Sequence, residues 1–413
     1  MGFEGELVRL REQTFCSAAL SPEDVRYVTE LPGHCFQVFV EDLKRDDGLV
    51  SCRVGPGSMV GHFRVPSGRT VVISPKIETA SVIRMLAYVY SDDHRGLLRD
   101  EPVNFAPDRL LFEPLVELFN SLVSARARRG LAQDYVRRDE NLAAFKGALN
   151  VRNHVQQNLG RDNRVHCRFF EQTVDVPDNR LVKTIIFHLV QVGGWTKATA
   201  QSLLRNLHQF DAVTLERSPE RLTENRHYHR LNDDYRLIHE LCRMFLACMS
   251  FSENVGHFVF QGFLLDMNLL FEQFVQKAFE KAVLQGGLRS EIQRPRKLSM
   301  SPVAPNMRPD VVVREREVVV VVADAKYKRD EGGPRNPDIY QVITYGTVLR
   351  CDRVYLVYPA TELDSEHDFA IINSDVIVKS RRVDISGKDC IPEAEAAARE
   401  IVADGIAAVT QTD

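Results

Sequence analysis

The chain has 413 residues, enough for two or three domains at roughly 150 residues each. Hydrophobic residues make up 44% and charged residues 27%, a globular balance that excludes wholesale disorder. Lys and Arg number 53 against 57 Asp and Glu, a formal net charge of −4, which excludes a globally basic nucleic-acid coat but not a local basic groove.

No stretch approaches the roughly 20 apolar residues of a membrane span, and MGFEGELVRLREQ lacks the apolar core of a signal peptide. Glu6 stands where a myristoylation signal wants Ser or Thr. The eight Cys form no C-x-x-C pair, so they read as reduced thiols of a cytoplasmic protein rather than as disulfides or a structural zinc site.

Residues 1–107 are expected to form a β-rich N-terminal domain. CFQVFVED and the run from Met59 to Ile77 carry β-branched residues between Gly and Pro turn signals. Gly55, Gly57 and Gly61 do not have the spacing of a dinucleotide fingerprint. Residues 108–255 are expected to be mainly helical. Leu110, Leu111, Leu115, Leu118, Phe119, Leu122 and Val123 recur at helical spacing up to Gly130. Arg126, Arg128 and Arg129 fall in the last turn, where cations complement the helix dipole; the cluster, continued by Arg137 and Arg138, also suits DNA or a partner. Two helices flank Gly193-Gly194, and Tyr235 to Met249 forms a buried amphipathic helix. His227 and His229 lack an obvious third metal ligand.

The chemistry concentrates in residues 256–390. A long helix starts near Phe263 with Leu264, Met267, Leu270, Phe271, Phe274, Val275 and Phe279 on its apolar face, and Gly286-Gly287 ends it. Two strands follow, Pro309-Asp310-Val-Val-Val and Val318 to Tyr327, separated by only Arg314 to Glu317, which requires a hairpin. The second strand is apolar without alternation, as in a central strand buried on both faces. In an antiparallel hairpin the start of one strand lies near the end of the next. Asp310 and Asp324 therefore converge, and Lys326, two residues beyond Asp324, projects from the same face. Two Asp oxygens, the Ala325 backbone carbonyl, a phosphate oxygen and waters would complete the octahedral shell of Mg²⁺, with Mn²⁺ as a substitute. Lys326 would orient the attacking water and offset developing charge. P-D…D-x-K, spaced 14 residues apart, is the pattern of the PD-(D/E)xK nucleases; a salt-bridged strand end, Asp324 with Lys326 or Lys328, is the structural alternative.

Asp338 opens the next helix, and Gln341 and Tyr345 share one of its faces, which can look at the metal site or the DNA backbone. Alternatively, Tyr340, Ile343 and Tyr345 belong to the core and Gln341 is a solvated neighbour. Arg353 to Pro359 reads as another buried strand. Arg289, Arg294, Arg296 and Lys328 are candidate phosphate contacts. The expected fold class is α/β, α+β overall, with a restriction-endonuclease-like αβββαβ core, and residues 391–413 form a C-terminal helix and tail.

RPDVVV, DAKYK and DIYQVITY, in this order after LLFEQFV, resemble McrC, the endonuclease subunit of McrBC-type methylation-dependent restriction systems. VVISPKI (71–77), the turn from Gly130 to Tyr135, Phe145-Lys146-Gly147 and the stretch Val165 to Asn179 extend the resemblance over residues 55 to 360. It implies that Glu272 occupies the acidic position of the first core helix as an auxiliary metal ligand. It also implies a partner: a hexameric McrB-like AAA+ GTPase that recognises modified double-stranded DNA, with the chain docking through its N-terminal part and stimulating GTP hydrolysis. No G-x-x-x-x-G-K-[ST] loop occurs, so GTP would enter only through that partner. The function expected is a Mg²⁺-dependent DNA endonuclease subunit in antiviral defence. The alternatives are a stand-alone nuclease of repair or phage defence and a non-catalytic activator of an AAA+ NTPase.

Overall fold

The computed structural model describes residues 7–31, 36–42, 49–90, 112–161, 163–193, 195–223, 227–230, 232–252, 257–260, 262–284, 288–292, 296–297, 306–328, 334–360 and 366–410. It is a mixed α/β protein of two compact units. One comprises Leu115–Gln261; the other is assembled from Phe3–Pro114 and Gly262–Asp413. The segments expected at 1–107 and 256–390 therefore come together in one unit.

In that unit the N-terminal part holds β1 (Leu7–Arg11), β2 (Cys16–Leu20), α1 (Pro22–Glu30), β3 (Gln37–Asp42), β4 (Val50–Gly55), β5 (Met59–Arg64), β6 (Thr70–Ser74) and α2 (Thr79–Tyr90). Among the described residues, two helices, α1 and α2, accompany the six strands of this part. Helix α1 opens on a reciprocal capping box between Ser21 and Asp24, with Pro22 at the first helical position. Val8, Leu10, Val54, Phe63, Val71 and Ile73 pack into the local core.

The second unit carries α3 (Phe112–Arg129), β7 (Asp134–Leu142), β8 (Ala148–Leu149), α4 (Val151–Asn158), β9 (Val165–Thr173), α5 (Pro177–Val192), α6 (Lys197–Gln209), α7 (Tyr235–Cys248), β10 (Met249–Ser252) and β11 (His257–Phe260). Helix α3 ends at Gly130, whose φ of 100° is a conformation that glycine adopts at little cost. Arg126 is committed inside the unit: it pairs with Asp234 at 2.9 Å and lies over the Tyr235 ring. Residues 108–111, expected in the first turn of this helix, lie outside the described residues.

Leu264 to Asp266, expected as the start of the long helix, belong instead to strand β12 (Gly262–Asp266). It extends the N-terminal sheet antiparallel to β5, with Leu264 opposite Gly61 and packed on the N-terminal core. Tertiary pairing outweighs helical periodicity here. Helix α8 (Met267–Leu284) starts only where the Met267 N–H donates to the Ser58 carbonyl at 3.0 Å. Its apolar face, Met267, Leu270, Phe271, Phe274, Val275 and Phe279, is buried as expected.

Next come β13 (Arg289–Ile292), β14 (Arg296–Lys297), β15 (Asn306–Met307), β16 (Val311–Glu315), β17 (Val318–Ala325), α9 (Asn336–Leu349), β18 (Arg353–Pro359), β19 (Asp368–Ala370), β20 (Ile377–Val383) and α10 (Cys390–Thr410). A six-stranded sheet runs β13-β16-β17-β18-β20-β19. Its first three strands are antiparallel, and β17, β18 and β20 are parallel, with α9 as the first crossover. The β16–β17 turn is tighter than the sequence suggests. Arg314 and Glu315 stay in the strand, and Arg316, at φ 54°, makes the reversal with Glu317. Val319 to Asp324 are all buried, as expected of a central strand. Val322 faces Val342 and Tyr345 of α9. The opposite face, at Val320 and Val321, meets α10, where a Cβ on Gly405 would lie about 2.5 Å from the Val321 Cγ2. The six described cysteines are free thiols, and no described helix is long and apolar enough to cross a membrane.

The C-terminal helix is thus a core element. Gly405→Val should lower stability by about 1–3 kcal/mol, the usual cost of overpacking. Urea unfolding reads this directly, and an unchanged midpoint would mean that α10 is not seated on β17.

Candidate active site

The site forms where the β16–β17 hairpin opens. Val311 pairs with Ala323, so Asp310, one residue earlier, stands opposite Asp324, one residue later. Asp324 is 1% exposed and Asp310 8%. The Ala325 N–H donates to Asp310 Oδ2 at 2.8 Å and fixes that carboxylate against the partner strand. Lys326 lies just past the strand end, and its Nζ is bonded to Asp324 Oδ2. The Lys326 N–H in turn donates to the Val357 carbonyl at 2.9 Å, which holds this segment on β18. The convergence of Asp310, Asp324 and Lys326 is therefore present.

Glu272 joins them from α8. Its carboxyl group shares a hydrogen bond with that of Asp310 and receives another from Gln276 Nε2 at 3.2 Å. Two carboxyl groups so close require a proton or a cation between them. Burial first, and then the neighbouring Glu272, push Asp310 up to about 7, against the favourable Ala325 amide. Burial, then Asp310, push Asp324 up to about 7 as well, against the attraction of Lys326. For Lys326, burial opposes the charge, but the attraction of Asp324 wins and raises the ammonium above its ordinary range.

This donor set bears on which ion could bind. Among the described residues no group of three or more His, Cys, Asp or Glu is placed to hold a metal by itself. Mg²⁺, which retains several waters and takes one or two carboxylates plus a substrate phosphate, fits the buried acid pair.

Helix α9 supplies a second wall. Tyr345 is buried in the core cluster, and its hydroxyl accepts from Gln341 Nε2 at 2.7 Å. Burial chiefly raises the Tyr345 pKa, the Gln341 hydrogen bond opposes this, and the charges of Asp324 and Asp310 add to the rise. Gln341 is half-buried and bonded, not merely solvated, while Tyr340 is exposed.

The expected phosphate contacts separate. Arg289 pairs with Arg314, at the hairpin-turn end of the sheet and thus away from Asp310. Lys328 is bonded to buried Asp338, which also accepts from the Tyr358 hydroxyl at 3.2 Å. Arg294 lies outside the described residues; Arg296 belongs to β14, and only its backbone is described. Asp338, expected only as the residue that opens helix α9, also belongs to the surroundings of the site. Its charge acts on both Asp324 and Lys326, and its signal was an acid in the first turn of a helix after Pro337.

No curated protein matches the chain. A chain of the refined half-complex of Thermococcus gammatolerans McrB AAA+ hexamers with bound McrC superposes with a TM-score of 0.64 at 19% identity, covering 96% of this chain and 99% of that one. A chain of the cryo-EM Thermococcus gammatolerans McrBC complex gives 0.49 at 18% identity, covering 67% and 88%. The first likeness extends to the fold. The model of the McrBC 5-methylcytosine restriction system component matches residues 54–359, a span that includes β5 to β18 and the acid pair, and the chain belongs to that family.

Proposed function

We propose that the chain is the Mg²⁺-dependent DNA endonuclease subunit of its restriction system, acting with a GTP-driven AAA+ ring on methylated double-stranded DNA. The observation that carries this reading is the buried pair Asp310 and Asp324 facing each other beside Lys326, with Glu272 against Asp310. The order α8, β13, β16, β17, α9, β18 supports a restriction-endonuclease-like core. The family description supports modified DNA as the target, and the McrB hexamers of the Thermococcus relative support a ring partner.

Asp310 and Asp324 would hold Mg²⁺ or Mn²⁺, with the Ala325 carbonyl and Glu272 as further oxygen donors. When bound, the ion supplies charge neutralisation at the phosphate and a more acidic water. Lys326 sits where it can orient that water and offset negative charge. Gln341 and Tyr345 hold the wall of the site. Arg296 and Arg294 are the phosphate contacts to test, and binding through several phosphates would weaken steeply with salt. An activator without nuclease activity would have no use for two buried, facing acids. A stand-alone nuclease would cut without nucleotide.

Asp310→Asn and Asp324→Asn each remove a buried acid from a repelling pair. Asp310→Asn should raise the melting temperature of the metal-free protein, whereas Asp324→Asn, which also leaves Lys326 without its ion-pair partner, should not; both should still bind the ring. Losing several kcal/mol of metal-assisted stabilisation corresponds to roughly a thousandfold or more in cleavage rate. A plasmid-cleavage assay with partner, GTP and Mg²⁺ checks this; undiminished cutting by both variants refutes the assignment.

The folded-state pKa of each Asp lies above its unfolded value. Proton binding therefore contributes stability that is complete below about pH 4 and is lost as pH rises through about 7. A divalent ion binds the ionised pair, so Mg²⁺ should raise the melting temperature clearly at pH 8 and little at pH 5. Thermal melts with matched ionic strength measure it, and an equal shift at both pH values contradicts metal binding at these acids.

A further inference from the structure

Tyr327 follows Lys326 directly and is gripped by residues of the turns just beyond the N-terminal strands β1 and β6 of the same compact unit. Its hydroxyl donates to Glu12 Oε1 at 2.9 Å, and the Lys76 N–H donates to the same oxygen at 2.6 Å. The Lys76 ammonium lies over the Tyr327 ring, 4.0 Å from its centroid. Gln13 closes the arrangement: its Nε2 donates to the Tyr327 carbonyl at 2.6 Å, and its Oε1 accepts from Lys76 Nζ at 2.8 Å. The other side of the ring meets Phe271, the neighbour of Glu272, with centroids 5.8 Å apart.

Three features exceed what packing alone requires. Glu12 and Tyr327 are 1% and 2% exposed, so the hydrogen bond between them is shielded from water. Gln13 has φ 53°, a conformation that costs a non-glycine residue free energy and persists where the surroundings enforce it. A glycine would relieve that strain but would lose both side-chain bonds to this site. Lys76 lies in the 71–77 segment, which the proposed cleavage chemistry leaves without a role.

We propose that Glu12, Gln13 and Lys76 form a latch on Tyr327 that sets the position of the Lys326 ammonium, and with it the rate of DNA cleavage. They are positioning residues: none touches the acid pair in the contacts described. The inference rests on the nuclease reading and adds to it that the N-terminal strands control the site's one lysine. Movement of those strands would reach Lys326 through the single side chain of Tyr327.

The test uses the full chain with its AAA+ partner and the variants Tyr327→Phe, Lys76→Met and Glu12→Leu, the last two paired with the conservative controls Lys76→Arg and Glu12→Gln. Amide hydrogen exchange at Lys326 and Lys328 is read first, without metal or DNA. It should quicken at least fivefold in Lys76→Met and Tyr327→Phe at unchanged global stability; unchanged exchange overturns the latch whether or not the protein cuts. Single-turnover cleavage is read second. It should fall about tenfold, while DNA affinity in Ca²⁺ stays within twofold of wild type. Lys76→Arg and Glu12→Gln, which keep the cation and the acceptor, should recover most of the rate. If wild type cuts and the folded variants cut equally fast, the positioning role is refuted. If wild type does not cut at all although exchange responds as expected, the nuclease reading fails instead, and the positioning role falls with it.

Discussion

Asp310 and Asp324 face each other across the open end of a hairpin, both nearly removed from water. Burying one carboxylate is costly, and burying two side by side is costlier still unless a proton, an ammonium or a metal compensates. In this protein Lys326 answers Asp324, and the Ala325 amide answers Asp310. Glu272 then adds a third acid and renews the demand for positive charge. The site is therefore a strained electrostatic arrangement, stabilised by the rest of the fold.

The surrounding elements supply that stabilisation in separate ways. Strand β17 is buried along Val319 to Asp324, and β18 fixes its end through the Lys326 N–H. Helix α8 brings Glu272 because Phe271, Phe274 and Phe279 lock its other face into the core. Helix α9 brings Tyr345, and Asp338 at its start ties down Lys328 while Tyr358 supports Asp338. Each acid near the site is thus matched by a cation or a donor: Asp310 by the Ala325 amide, Asp324 by Lys326, Asp338 by Lys328 and Glu272 by Gln276. Removing one partner would leave a charge exposed to a low-dielectric environment.

The N-terminal strands are part of this construction. Strand β12 joins their sheet before the chain enters α8, and Glu12, Gln13 and Lys76 reach Tyr327 directly. Tyr88 of α2 donates to Glu395 of α10 at 3.2 Å, and Arg84 donates to the Gly387 carbonyl at 2.8 Å. The residues proposed for cleavage and the N-terminal sheet therefore share one folded unit, although some 250 residues of sequence lie between Lys76 and Lys326.

Local pattern was sufficient for the hairpin and its acids. A run of Val with no alternation can only be a strand buried twice over, and the short connection dictates an antiparallel return. From these the meeting of Asp310, Asp324 and Lys326 follows by geometry, and the periodicity of Phe271, Phe274 and Phe279 likewise marks a buried helix face. What local pattern could not supply is partnership between distant segments. Leu264 and Leu265 suit a helix or a strand equally, and only the waiting edge of β5 decided for strand. Lys328 looked like a free phosphate ligand until Asp338 was folded against it, and Arg289 looked close to the acids until register put it at the other end of the sheet. Glu12 and Gln13 carry no motif at all. Charge pairing and strand register depend on which surfaces meet, and that information exists only once the chain has closed on itself.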